Sequence, residues 1–382
     1  MNKEKLAESI EKIAQRAIIQ RYTAGMVIRA EIGGEALFEG AYGYACDTAT
    51  RRDLMTASTK FDIASLTKLF TTTSALRLAT LCDVKLDMKL SDIESMSRLA
   101  SGFPLSEKAF ASITARMLMT HSSGLHYWYP FYAARNAQLR PAARVSNGNP
   151  APGEQFASIL EEMLERFPLG SGTVYSDINY MLLGKIVEGA CGLPLQIALG
   201  ELVSRPLGLA DTGYRPGRGP FAATEFGNGI EEKMVADLGL SYSGWRPVGL
   251  ALEGEADDGN CHYFFNDVAG HAGVFSTVRD ACALGRLYLA PEAYAGFIAP
   301  ELALEARNDH GGGRGLGFQL GELYPRGGFG HTGFTGTYLY LHNASGLALA
   351  IFANRLHVEE PRNINELRRE IANTVIDALG IS

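Results

Sequence analysis

Ser65 and Lys68 stand three residues apart in FDIASLTKLFTT. On a helix, positions i and i+3 share a face, so the Lys68 ammonium can reach the Ser65 hydroxyl one turn earlier. If Ser65 opens that helix, the free backbone N–H groups and positive dipole end of the first turn also favour an oxyanion beside it. This is the chemistry of an activated nucleophile. An apolar helix around Lys68 would desolvate it and lower its pKa toward a useful base. The spacing alone says little, because a chain of this length contains roughly one Ser-x-x-Lys by chance. A second one, Ser9-Ile10-Glu11-Lys12, lies in a charged N-terminal segment where nothing suggests catalysis.

Two more groups could do chemistry. Tyr175-Ser176-Asp177 lies in GSGTVYSDINYMLLG, and a tyrosine beside a lysine ionises more easily because the ammonium stabilises phenolate. Taken alone, it reads more readily as a loop tyrosine packed on the following helix. His331-Thr332-Gly333 lies in GGFGHTGFTGTYLYL and is expected to open a strand. A glycine there lets substrate backbone approach, and a strand-edge N–H can complete an oxyanion hole. The plain alternative is an edge strand with an incidental histidine. His121 and His126 are five apart, and no H-E-x-x-H, G-x-S-x-G, P-loop or strand-borne G-x-G-x-x-G is present. Neither a metal nor a nucleotide cofactor is expected.

These residues need elements to position them. Residues 3 to 22 carry Leu6, Ile10, Ile13, Ala14, Ala17 and Ile18 between charged positions, the pattern of an amphipathic helix. Segments 25 to 32 and 35 to 44 are extended and separated by Gly33-Gly34, a hairpin signal. Residues 64 to 81 predict a helix apolar around much of its circumference, hence buried. The middle, 85 to 285, is a run of helical patterns, with its clearest loop at 145 to 153 (VSNGNPAPG). Segments 316 to 321, 336 to 342 and 347 to 353 are short, β-rich and bounded by glycine, so they predict consecutive antiparallel strands. The two ends of the chain are therefore expected to build one sheet, with a helical insertion between them.

The bulk numbers fit. A chain of 382 residues, 46% hydrophobic and 20% charged, can bury a large single core or two lobes. A net charge of -7 argues against a nucleic-acid partner. Five scattered cysteines without a C-x-x-C pair suit a reducing compartment. No signal core or membrane-spanning run is evident, so the expected location is cytoplasmic and the expected partner a small-molecule substrate.

The three motifs, in this order and at these separations, resemble the serine penicillin-recognising enzymes. More narrowly, they are similar to the branch holding class C β-lactamases, D-Ala-D-Ala carboxypeptidases and many esterases. MLMTHSSGLHYW, with His121, Ser123 and Gly124, resembles a further family segment, as do YSDINYMLLGKIVEGACGLPL, RPLGLADTGY and VAGHAGVFSTVRDACALGRLYL. The resemblance spans about residue 24 to about 355.

It implies an α+β fold of the β-lactamase/transpeptidase-like type: an antiparallel sheet flanked by helices, plus a mostly helical lobe. The whole chain, 1 to 382, would be one catalytic domain, with an α/β lobe at 1 to 84 and 286 to 382 and a helical lobe at 85 to 285. Ser65 would be the nucleophile, Lys68 its partner and Tyr175 the general base. Backbone N–H groups of Ser65 and Phe334 would form the oxyanion hole beside Thr332 and Gly333. His331 and Asp177 stand where β-lactamases carry lysine and asparagine. The resemblance therefore implies a missing cation for a substrate carboxylate and a carboxylate that can only accept hydrogen bonds. In that geometry Asp177 would lie near Lys68, keep it cationic, and leave the Ser65 proton to Tyr175. His331, if it contacts substrate, would bind carboxylates better at acidic pH. The expected activity is a serine hydrolase acting through an acyl-enzyme on a small ester or amide. The alternatives are a β-lactamase and a penicillin-binding sensor or scaffold without turnover.

Overall fold

The computed structural model describes residues 3–81, 85–138 and 152–381. Its main sheet has six strands in the order β3-β2-β1-β9-β8-β7, all antiparallel. They are β1 Gly25–Ile32, β2 Glu35–Asp47, β3 Arg52–Leu54, β7 Phe329–Thr332, β8 Thr337–His342 and β9 Leu347–Ala353. A small second sheet, β4-β6-β5, joins Phe61–Asp62, Val274–Ser276 and Gly213–Tyr214.

Both faces of the main sheet are covered, as the strand period requires. Along β9, Leu347, Leu349, Ile351 and Ala353 pack with the terminal helices, Lys3–Ile19 and Asn365–Ala378. Ala348, Ala350 and Phe352 alternate with them and join the larger core on the other side. That side is covered by helix Val278–Leu289, which packs on β1, β8 and β9. The lobe boundary expected at 285/286 falls inside this helix.

Several expectations hold with shifted ends. The first helix stops at Ile19, and Arg21 beyond it has φ +58°. β2 runs on to Asp47. One expected strand is absent: 316 to 321 makes only isolated bridges, through Gln319 to Arg314 and Gly330. Gly317 sits at φ +82° there, outside extended backbone. The third late strand is instead Phe329–Thr332, with His331 as its third residue rather than its first. Of the expected loop 145 to 153, residues 145 to 151 lie outside the described residues, and Pro152–Gly153 open a helix that runs to Arg166.

The Lys68 helix, Thr67–Leu81, is buried from Thr67 to Leu76. It tolerates five buried hydroxyls in Thr67, Thr71, Thr72, Thr73 and Ser74 because each has a partner. Thr71 donates to Gly270 O at 2.7 Å, Ser74 to Phe70 O at 2.9 Å, and Thr73 meets Tyr288 Oη at 2.7 Å. Among the described residues no single helix is long and apolar enough to cross a membrane.

Candidate active site

Ser65 lies in the short 3-10 turn Ala64–Leu66 that leads into the Lys68 helix. The expected helix-start position is therefore where the structure puts it. Lys68 is fully buried. It donates to Ser65 Oγ at 2.9 Å and His271 O at 3.1 Å, and it pairs with Asp177 Oδ1 at 2.7 Å. The Asp177 carboxylate at 2.7 Å is what favours the protonated form of Lys68.

Electrostatics agree. Burial pulls the Lys68 pKa down, but the Asp177 carboxylate and then Tyr175 more than offset it and hold it above its ordinary value. The expectation that a buried helix would lower it is overturned by this anion. Burial pushes the Tyr175 phenol up, the Lys68 ammonium pulls it down, and the balance leaves it above its ordinary value. Tyr175 is in contact with both Lys68 and Ser65, and its ring centroid lies 5.0 Å from Lys68 Nζ.

Tyr175 and Asp177 are held by the segment from 121 to 127. The Asp177 N–H donates to Tyr127 O at 2.9 Å, and Ser176 Oγ to His126 O at 2.6 Å. His121, at φ +58°, accepts the Ser176 N–H on Nδ1 at 3.0 Å and lays its ring 4.5 Å from the Tyr175 ring. Burial, reinforced by Lys68, lowers its pKa well below the ordinary range, so it is a neutral ring bearing its proton on Nε2. Nothing in the sequence around His121 marks it for this role beyond its place in MLMTHSSGLHYW.

His331 is placed differently from expectation. It is 1% exposed and does not line the cavity beside Ser65. Its Nδ1 donates to Thr332 O at 2.7 Å, while its Nε2 faces the Gln319 amide at 3.5 Å. Burial and the Lys68 ammonium hold it neutral, well below its ordinary pKa. A buried, neutral ring does not support its reading as a pH-dependent reader of carboxylates, although it stays beside the site, 6.1 Å from the Tyr175 ring.

Thr332, Gly333 and Phe334 do reach the cavity, which has a volume of about 460 Å³ and also borders Ser65 and Tyr175. Gly333 is required by protein, not by substrate: a Cβ there would stand 2.6 Å from Ile63 O and 2.0 Å from Thr337 Oγ1. Arg368 donates to Gly333 O and to Thr337 O, both at 2.9 Å. Because a trans peptide sets N–H opposite C=O, this turns the Phe334 N–H away from Arg368. Phe334 is 48% exposed, its carbonyl accepts from Arg355 Nε at 2.6 Å, and the Arg355 guanidinium lies 4.6 Å above its ring.

The position where β-lactamases carry lysine holds no cation, but other cations are near. Arg314, Arg355, Arg362 and Arg368 all border the cavity. Arg314 lies over the Tyr175 ring at 5.1 Å. Sequence reasoning missed these arginines. They sit far from the motifs in the chain, and nothing in their local pattern marks them.

Comparison with known proteins fits this geometry. The model of the β-lactamase family matches residues 10–373. A relative from Bacillus subtilis (strain 168), named N-acetylmuramyl-L-alanine amidase, is 28% identical over 397 residues, covering 95% of this chain and 85% of its own. Among solved structures, EstCE1, a hydrolase with promiscuous acyltransferase activity, superposes with TM-score 0.69 at 19% identity, covering 98% of this chain and 99% of that one. The D-amino acid amidase from Ochrobactrum anthropi SV3 gives 0.66 at 18% identity, with 98% and 99% covered. At such identities the two structures bear on the fold alone. The family match spans nearly the whole chain and includes Ser65, Lys68 and Tyr175, so this chain belongs to the β-lactamase family of serine hydrolases.

Proposed function

We propose that the chain hydrolyses small amides or esters bearing an acidic group near the scissile bond, through an acyl-enzyme on Ser65. The observation that carries this reading is the Ser65–Lys68–Asp177 chain of contacts, with Tyr175 against both Ser65 and Lys68. Tyr175 rests as the neutral phenol and acts from its minor phenolate form, which the Lys68 ammonium stabilises against burial; that phenolate takes the Ser65 proton while Oγ bonds to the substrate carbonyl carbon. The bond to the amine or alcohol then breaks, and Tyr175 returns the proton to the leaving group. Water resolves the ester on Ser65 by the same path in reverse. The Ser65 and Phe334 N–H groups receive the developing oxyanion.

The acidic group is argued from the four arginines bordering the cavity, which suit a carboxylate. The amidase name of the Bacillus subtilis relative favours an amide as the natural bond. β-Lactam turnover is the weaker reading, because Asp177 is a carboxylate engaged by Lys68 rather than an amide able to donate. The free thiols Cys46, Cys191, Cys261 and Cys282 support a reducing, cytoplasmic setting.

The test compares a chromogenic ester, a D-amino-acid amide and a cephalosporin, with covalent capture by a fluorophosphonate. Ser65→Ala is expected to abolish capture and to lower kcat/KM by about a thousandfold or more. Ester and amide substrates carrying a carboxylate should outrun their neutral analogues. Wild-type turnover by the alanine variant would refute the assignment.

A further inference from the structure

The residue before Ser65 has an uncommon backbone. Ala64 sits at φ +45°, in the left-handed region that glycine enters freely and alanine does not. An alanine persists there only where its surroundings hold it. Asp62 supplies that hold. Its side chain is buried, and its Oδ1 accepts the Ala64 N–H at 2.8 Å. Its Oδ2 accepts the Asp257 N–H, also at 2.8 Å. Between them, the Ile63 N–H donates to Val274 O at 3.0 Å, and Ile63 O accepts from Leu66 N–H and Thr337 Oγ1, each at 3.0 Å.

We propose that Asp62 is a positioning residue, whose carboxylate pins Ala64 in the left-handed conformation that presents Ser65 Oγ to Lys68 Nζ. This rests on the reading of Ser65 as the nucleophile and assigns Asp62 no contact with substrate; it does not border the cavity. The same residue reaches the second oxyanion peptide. Asp62 O accepts from Thr335 Oγ1 at 2.8 Å, one residue beyond Phe334. The strut therefore fixes the nucleophile turn and the β7–β8 turn against one another. The carboxylates of Asp257 and Asp258 and the Cys261 thiol face Asp62. A purely structural role, tying down the Asp257 loop, is the competing account.

The two accounts separate because the two oxygens serve different partners. Asp62→Ala removes both contacts. Asp62→Asn can turn its amide oxygen to the Ala64 N–H, leaving its NH2 against the Asp257 N–H, so the loop contact is lost and the nucleophile contact kept. Ala64→Gly reaches positive φ without help. The readouts are the second-order rate of Ser65 labelling by a fluorophosphonate and the melting temperature.

Asp62→Ala is expected to slow labelling about tenfold, the cost of a left-handed alanine expressed as a rate. Adding Ala64→Gly to Asp62→Ala should restore labelling to within about threefold of wild type. Asp62→Asn should melt lower yet label within about threefold of wild type. The proposal is overturned if Ala64→Gly gives no rescue, or if Asp62→Asn labels as slowly as Asp62→Ala. If Asp62→Ala does not fold, the Asp62→Asn labelling rate alone decides. Labelling that persists in Ser65→Ala would instead refute the nucleophile assignment, a separate failure.

Discussion

The Lys68 Nζ lies within reach of Ser65 Oγ, His271 O and Asp177 Oδ1, and the last of these belongs to an anion. Asp177 therefore fixes the charge state of the site. Removing it by Asp177→Asn takes away the largest influence raising Lys68 and also one that raises Tyr175. Both pKa values should fall. The acidic limb of kcat/KM, which reports free-enzyme groups, should move to lower pH by about one to three units. The new amide can donate, so acylation by penicillins and cephalosporins should improve relative to simple esters. Full pH profiles with both substrate types check this, and an unmoved limb would show that Asp177 does not set the charge of the pair.

At this scale the sequence spoke where neighbours in the chain are neighbours in space. The reach of Lys68 to Ser65 was legible from helical spacing, but the choice of that pair over Ser9 and Lys12, like Tyr175 and Asp177, needed the resemblance. His331 was misread although the clue was present. It shares a strand face with Phe329, two residues away and 1% exposed, so alternation should have put its ring in the core. Arg314, Arg355 and Arg368 were not legible, because a cation is one of 35 until the sheet places it.

The element behind the nucleophile turn is the loop-rich stretch between β5 and β6, and it concentrates buried acids. Glu225 is raised to about 7, by burial first and by Asp257 second, although it accepts the Ile230 N–H at 3.0 Å. Asp62 is likewise raised to about 7 by burial and Asp257. A carboxyl group with a raised folded-state pKa binds a proton in the folded chain where the unfolded chain has lost it. Its stabilising contribution is complete below the unfolded value near 4, and is lost as pH climbs to about 7. The neutral histidines His121, His331 and His357 act in the opposite sense, since the unfolded chain gains protons there below about 6.5. The diagnostic quantity is therefore a difference. The melting temperature of wild type relative to Glu225→Gln should be higher at pH 5 than at pH 7.5, at constant ionic strength. A difference independent of pH would mean that Glu225 is ionised throughout.

Elements were legible in proportion to their pattern. The Gly33-Gly34 hairpin, the buried helix and the strands near 337 and 347 follow directly from periodicity. The segment 316 to 321 imitated a strand because Leu316, Phe318 and Leu320 alternate correctly, but Gly317 at φ +82° breaks the run that their pattern promises. The core there needs buried side chains at 316 and 318, and an irregular loop supplies them as well as a strand would.

Across the whole molecule, the middle of the sheet is a seam between the two ends of the chain. Ile28 of β1 lies opposite Ile351 of β9, and the terminal helices lie side by side, joined by the Arg16–Glu370 ion pair. That seam has a consequence for biosynthesis. The β1–β2 hairpin leaves the ribosome well before β9, and the free edge of β1 must then wait for it, on the order of tens of seconds at ordinary elongation rates. An unpaired apolar edge is a template for wrong partners during that interval. Ribosome-bound chains stalled before β9 should therefore be cut readily by protease within β1, and chains stalled far enough beyond Ala378 for the last helix to emerge should be protected. Equal protection at both stall points would show that the hairpin is sheltered without β9. The sheet that carries the site in the finished enzyme thus also leaves its newborn chain dependent on shelter until β9 has been made.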